Sequence, residues 1–129
     1  MYKELVISIF LVILIFIGDY FTQNYTEKAI EKINISLDDI KKEIVEENIN
    51  INNVSQKTKN TEKIWENYNK KLSYFIEHDE LEKVENNLVG CVSYIESNEY
   101  IEAKEKIDEM KFILKHIEEK NRFNLKNIF

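Results

Sequence analysis

Residues 30–44 read IEKINISLDDIKKEI, and every third or fourth residue in this stretch is a large aliphatic one. The positions that keep this spacing are Ile30, Ile33, Leu37, Ile40 and Ile44. On a helix with about 3.6 residues per turn, these side chains form one narrow stripe between mostly polar neighbours. The stretch therefore predicts an amphipathic helix that packs in a coiled-coil-like way against other helices.

Similar stripes follow toward the C-terminus. The first is Trp65, Tyr68, Leu72 and Phe75, preceded by a weaker part with Val54, Thr58 and Thr61. The second is Leu81, Val84, Leu88, Cys91 and Ile95, and the third is Tyr100, Ala103, Ile107, Met110, Leu114 and Ile117. The chain has no proline and only two glycines, so few residues interrupt a helix. The predicted fold class is all-α, with long helices joined by short polar loops.

The stripes on either side of residues 77–80 are two residues out of register with each other. Asp79 followed by Glu82 has the pattern of a capping box, which predicts that a new helix begins there. A reversal near His78 gives an antiparallel, up-down-up-down bundle of four helices. The alternative is three helices, with residues 53–96 forming one long kinked helix. We favour the reversal, because a straight continuation would carry several charged side chains into a membrane.

The remaining helix ends are predicted from polar residues. Asn52 or Asn53 is expected to cap the second helix, since asparagine is a favoured N-cap residue. The third helix is expected to end at Ser97–Asn98 and the fourth at Asn121. The apolar tail after it (Phe123, Leu125, Ile128 and Phe129) is expected to pack under the second turn and to cover part of His78.

An apolar segment lies near the N-terminus. Residues 5–17 carry no charge and only Ser8 as a polar residue. Thirteen residues are short for a span that needs about 20, but Lys3 and residues 18–21 lengthen the segment. We predict a retained transmembrane anchor at residues 1–21 and a bundle domain at residues 22–129. The alternatives are a signal peptide cleaved near Asp19 or Thr22 and a helix buried in the core.

Charge and cysteine content exclude some functions. A net charge of −6 disfavours nucleic acid as a partner, because phosphate binding needs a basic face. Cys91 is the single cysteine, so an internal disulfide and a thiolate metal cluster are excluded. On its stripe, Cys91 is expected to be a buried, unreactive thiol. Lys3 before the apolar segment and Asp19 after it favour a bundle on the extracytoplasmic side.

Few residues suggest chemistry. His78, Asp79, His116 and Glu119 come toward one end of a four-helix arrangement and could together hold zinc or a similar ion. The simpler interpretation makes Asp79 a helix cap and places His116 at a helix C-terminus. We expect no bound metal and no cofactor. The carboxylates of residues 77–85 are expected to form a solvated face, and the aromatic stripe of Trp65, Tyr68, Tyr74 and Phe75 to belong to the core.

The runs KLSYFIEHDELEKVENNL (residues 71–88) and MKFILKHIEEKNRFNLKNIF (residues 110–129), together with Trp65, resemble an uncharacterised helical family known as domain of unknown function 4363. The resemblance implies a short protein of Gram-positive bacteria with an N-terminal membrane segment and a helical remainder. It also implies, as a partner, a small integral membrane protein. The chain departs from the family at residues 53–58, where the family usually has an aromatic residue and an alanine. The resemblance implies no activity.

These observations favour a non-enzymatic, membrane-anchored helical module that acts in interaction or structure, through self-association or with an integral membrane protein. The alternative is a sensor or binder of a small ligand or metal ion at the membrane-proximal end. An enzyme is not expected, because the sequence has no glycine-rich phosphate loop and no serine or cysteine beside a histidine base.

Overall fold

The computed structural model describes the backbone of residues 1–128 and the side chains of residues 1–122. Four helices run in order: α1 (Tyr2–Val45), α2 (Ile51–Leu72), α3 (His78–Glu96) and α4 (Tyr100–Ile128). Helices that follow one another pack together, and α4 packs back against α1. The all-α, four-helix bundle is confirmed. The single kinked helix over residues 53–96 is wrong, because the chain reverses at residues 73–77.

The core is built from the stripes that the sequence predicts. The five stripe residues of residues 30–44 are at most 6% exposed, and the α3 stripe is at most 7% exposed, whereas Ile35, which lies off the stripe, is 56% exposed. The buried hydrophobic residues of α2 and α4 are Val54, Trp65, Leu72, Ala103, Ile107, Met110, Leu114 and Ile117. In the upper half of α2 the core contains hydroxyl groups, and the buried Ser36 and Thr61 side chains hydrogen-bond to each other. This contact satisfies two polar groups that would otherwise be costly to bury.

The α1 helix has two parts with different surroundings. From Thr26 onward its inner face lies in the bundle core, whereas the apolar residues from Leu5 to Ile17, apart from the partly exposed Phe16, are about half exposed or more. No residue of its most apolar stretch is buried inside the protein, and the helix is long and apolar enough to cross a membrane. The interpretation of this segment as a buried core helix is therefore wrong. The helix continues from one part to the other without a break.

Two predicted caps are displaced. The α2 helix is capped by Asn50, whose Oδ1 accepts a hydrogen bond from the Asn53 N–H at 3.2 Å, so Asn52 and Asn53 already lie inside the helix. The α3 helix begins after Glu77, which makes no side-chain capping bond. Asp79 lies in the first turn, where its charge favours the helix N-terminus. The capping box is wrong, because the Leu81 N–H already bonds the Glu77 carbonyl at 3.3 Å and starts the helix earlier.

The end of α3 is as predicted. Asn98 has a φ of 58°, in the left-handed region that asparagine tolerates better than most residues. The N–H of Glu99 bonds the Tyr94 carbonyl at 2.8 Å, and the N–H of Asn98 bonds the Ile95 carbonyl at 3.1 Å. This pair of bonds is a Schellman motif, which satisfies the last carbonyls of α3 and allows α4 to begin within a few residues.

The end of α4 differs from the prediction. The helix does not stop at Asn121 but continues to Ile128. The side chain of His78 is 88% exposed, so the tail does not shield it as expected. The predicted burial of Phe123, Leu125, Ile128 and Phe129 lies outside the described side chains.

Ion pairs set the register between α1 and α4. Lys41 binds Asp108 at 2.6 Å, Lys111 binds Asp38, and Arg122 binds Glu27 at 3.1 Å. From one pair to the next, the residue number on α1 decreases by as much as the residue number on α4 increases, as antiparallel helices require. Surface pairs add little stability, but their regular spacing defines which residues face each other.

We expect Leu72→Ala, Leu88→Ala and Leu114→Ala each to lower the free energy of unfolding by about 2–5 kcal/mol, because each removes a buried side chain and leaves a cavity. These leucines are 2%, 5% and 1% exposed. Lys83→Ala, at an exposed position of α3, is the control and should change little. Chemical denaturation followed by circular dichroism gives the comparison, and equal losses in all four variants would contradict the assigned core.

Candidate functional site

The base of the bundle is the end nearest the apolar part of α1, and it is formed by the turn at residues 73–77 and the part of α4 packed against it. An aromatic cluster ties these elements together. The Tyr25 ring of α1 lies 5.6 Å from the Tyr68 ring and 6.1 Å from the Phe75 ring, centroid to centroid. The Lys71 ammonium lies 5.6 Å from the Tyr25 centroid, within range of a cation–π contact. Burial, and secondarily Tyr68, raise the pKa of Tyr25.

A cleft of about 150 Å³ opens at the base between the turn and α4. It is lined by Phe75, Ile76, Glu77, Glu80, Ile117, Lys120 and Asn121. At its edge the Lys120 ammonium donates to the Glu77 carboxylate at 2.8 Å. This hydrogen bond and the attraction between the charges lower the pKa of Glu77 and raise that of Lys120. The pair therefore stays ionised at neutral pH.

The interior of this base cleft holds two polar atoms that lack partners. Glu80 has a side chain only 12% exposed, and its Oε1 lies 3.5 Å from His116 Nε2. Glu80 Oε2 and Asn121 Nδ2 are buried and have no hydrogen-bond partner among the described residues. Buried polar atoms without partners are costly and are usually satisfied by water or a ligand. The base cleft thus offers an acceptor and a donor to a small polar molecule.

The proposed metal ligands are not assembled. The exposed His78 lies 4.0 Å from Glu82 on its own helix, whereas His116 lies against Glu80. Among the described residues there is no group of three or more His, Cys, Asp or Glu side chains arranged to hold a metal ion. His116 also lies inside α4 rather than at its C-terminus, because the helix continues to Ile128. Asp79 and Glu119 have no ligand role in this geometry.

Sequence reasoning missed Glu80 as the buried acid of the base. Glu80 lies among the carboxylates of residues 77–85, of which the others are exposed. The available signal was its position directly before Leu81, the first buried residue of α3, which places it beside the core. Its partner His116 could not be identified from sequence, because that contact depends on the register between α3 and α4.

The aromatic residues of the predicted stripe separate into two groups. Trp65 is 3% exposed and Tyr68 is partly buried against the core, as expected. Tyr74 is 87% exposed and Phe75 is 36% exposed, so the prediction that they belong to the core is wrong. The reason is that α2 ends at Leu72, and the following residues form the turn.

Comparison with known proteins assigns a family to this fold. A model of the family described as Domain of unknown function (DUF4363) matches residues 20–128. The match covers most of the chain, and the chain belongs to this family. The matched region begins close to the point at which α1 passes from its exposed apolar part to the bundle. No curated protein and no solved structure matches the chain.

Cys91 is expected to resist alkylation in the folded protein. It is fully buried, and burial raises the pKa of its thiol to about 12, so the reactive thiolate is scarce at neutral pH. Reaction with iodoacetamide at pH 8 should therefore follow unfolding, and it should be fast in denaturant. As pH rises above the usual thiol range, the unfolded chain ionises first, so stability should fall. Rapid modification of the native protein would contradict this burial.

Proposed function

We propose that this protein is a non-enzymatic, membrane-anchored helical module whose bundle binds another protein near the membrane surface. The observation that carries the proposal is the continuity of α1. One helix of 44 residues supplies both an exposed apolar segment and a face of the bundle core. A membrane span and a bundle joined in this way are held at a fixed height relative to each other.

The exposed part of α1 has the features of a span. Residues 1–21 would rise about 31 Å as a helix, close to the ~30 Å thickness of a hydrocarbon core. Lys3 precedes the apolar segment, and Tyr20 and Phe21 follow it with exposures of 65% and 64%. Aromatic residues at the end of a span are typical of the membrane interface.

The same geometry brings the base close to the proposed membrane surface. Tyr25, which contacts Phe75 of the turn, lies only four residues beyond Phe21, or about 6 Å along the helix. If the α1–α4 register is continued from Glu27 and Arg122, the C-terminal end of α4 comes level with Phe21. The bundle would then stand directly on the bilayer, with the exposed Tyr74 ring at headgroup height.

Surface composition supports binding to a protein partner. Large apolar side chains are exposed at both ends of the first loop and along α3 and α4. They are Val45, Ile51, Val89, Ile101 and Phe112. The described surface also offers no nucleophile paired with a base, since Cys91 is buried and His116 faces a carboxylate. Self-association and an integral membrane protein are the two kinds of partner that such a module would have.

A second candidate function is favoured by one observation, the base cleft. Glu80 Oε2 and Asn121 Nδ2 could hold a small polar ligand or an ion there. The protein would then act as a membrane-proximal sensor, with the ligand linking α3 to α4 at the base.

The bundle is expected to face the extracytoplasmic side, because Lys3 precedes the span and Asp19 follows it. A reporter that is active only outside the cytoplasm, fused after Phe129, should be active, and the fusion should fractionate with membranes and retain residues 1–21. Activity of a cytoplasm-only reporter at the same site would reverse the orientation. Recovery of a soluble form that begins near Asp19 or Thr22 would show a cleaved signal peptide instead.

The proposed function predicts a complex in native membranes. The full-length chain, extracted in mild detergent, should migrate well above the mass of one 15.5 kDa chain with its detergent. Adding Zn²⁺, Ca²⁺ or phosphate should not shift its melting temperature. A single chain whose melting temperature rises with one of these ions would favour the sensor, since a ligand at about 100 times its Kd stabilises by roughly 2.7 kcal/mol.

A further inference from the structure

The four helices are not packed equally closely. Among the four pairs of adjacent helices, the α3–α4 pair has the most extensive contact and the α2–α3 pair the least. Along the α2–α3 seam lie two neighbouring cavities of about 310 and 470 Å³, and both are lined by Glu85 and Val89. Together they form one groove, which we call the α2–α3 groove, running from Glu62 down to Ser73 and His78 at the base.

The floor of the α2–α3 groove is apolar. It is formed by Trp65, Leu81, Leu88, Val89 and Val92. Val89 is 64% exposed, which is unusual for an aliphatic residue between two helices of a bundle. The Trp65 indole N–H is buried and has no acceptor among the described residues. The accessible apolar surface of the floor therefore comes from Val89 and the partly buried Val92, while Trp65, Leu81 and Leu88 are buried behind it.

The rim of the groove is acidic over most of its length. Glu62 and Glu66 stand on the α2 side, and Glu82 and Glu85 stand on the α3 side. Lys70, near the base, is the lysine that lines this surface. An occupant with basic side chains on both flanks of an apolar stripe complements this distribution of charge.

We propose that the α2–α3 groove is the docking site for an amphipathic helix of a partner protein, with an apolar stripe and lysine or arginine on its flanks. From Glu62 to Ser73 the groove extends about 16 Å, which is three turns of a helix. A helix seated there would bury its i, i+3 and i+7 side chains against the floor and become the fifth helix of the bundle. This inference rests on the proposed function and names the surface that performs it.

A second copy of the chain fits the groove less well. A symmetric contact through this surface would bring Glu62, Glu66 and Glu85 against the same carboxylates of the other copy. The chain also has a net charge of −6, so its other surfaces offer little basic character to compensate. Charge complementarity thus favours a basic helix from a different protein.

The test uses Trp65, the only tryptophan of the chain, as the reporter. The probe is a synthetic helical peptide of about 18 residues, long enough to form a helix, with a leucine stripe, lysine flanks and no aromatic residue. It is titrated against the full-length chain in phosphatidylcholine nanodiscs, with empty nanodiscs as the blank. Binding should shift Trp65 emission, because the apolar stripe of the peptide would replace water over the groove floor.

Two matched variants locate the binding surface. Val89→Lys should weaken binding roughly tenfold or more, since it places a charge on the groove floor. Ile35→Lys, at a similarly exposed aliphatic position on α1, should leave binding unchanged. Both positions are exposed, so both variants should keep the circular dichroism spectrum of the native chain. A version of the peptide with glutamate flanks should bind far more weakly than the lysine version.

Several results would overturn the proposal. The first is that the Val89→Lys variant binds the lysine peptide as well as the native chain does, and the second is that the glutamate peptide binds as well as the lysine peptide. The third is self-association of the chain that Val89→Lys abolishes, which would assign the groove to a second copy. The native-membrane complex separates these failures from failure of the proposed function. A complex that survives Val89→Lys supports the proposed function but contradicts the groove as its docking site. Absence of any complex contradicts the proposed function itself.

Discussion

The α1 helix passes through two surroundings along one axis, and this imposes a constraint on every other element. Its first half carries apolar side chains in all directions, none of them buried, whereas its second half buries one apolar face in the bundle core. The change occurs between Phe21 and Thr26, within about one and a half turns. The other helices must therefore pack beyond that point, because the all-apolar part has no polar face to turn toward water. The bundle begins where the stripe begins.

The same constraint explains the unequal packing of the other helices. The α4 helix is the one that descends furthest along α1, and its ion pairs with α1 fix their register. The α3 helix packs closely on α4, where Ala103 is fully buried and a Cβ added at Gly90 would already contact the Lys106 side chain at 3.4 Å. Small residues at that seam draw α3 toward α4. The α2–α3 seam is lined by the larger Trp65 instead, and its helices are in less extensive contact.

Much of the fold could be predicted from sequence, because burial repeats along a helix with a fixed period. The stripes at residues 30–44 and in α3 proved to be core in full, and the phase change near His78 correctly indicated a reversal. Caps were predicted less well, since the asparagine-rich residues 48–53 offer several equivalent N-caps, of which the structure uses Asn50. The contact of Glu80 with His116 was beyond sequence reasoning for a different reason. It depends on how α3 and α4 slide past each other, and no local pattern encodes that.

The base cleft and the α2–α3 groove have different relations to the stability of the bundle. Filling the cleft would satisfy Glu80 Oε2 and Asn121 Nδ2, and so would tie α3 to α4, a pair that is already closely packed. Filling the groove would instead join α2 to α3, the adjacent pair with the least contact. A ligand shifts a structure only by the difference in its affinity for the alternative arrangements. At the looser α2–α3 seam, an occupant can gain more contact in one arrangement of the helices than in another. A partner that changes this bundle would therefore act through the groove rather than through the cleft. The looser α2–α3 seam thus favours the interaction module over the sensor as the role that we propose for the fold.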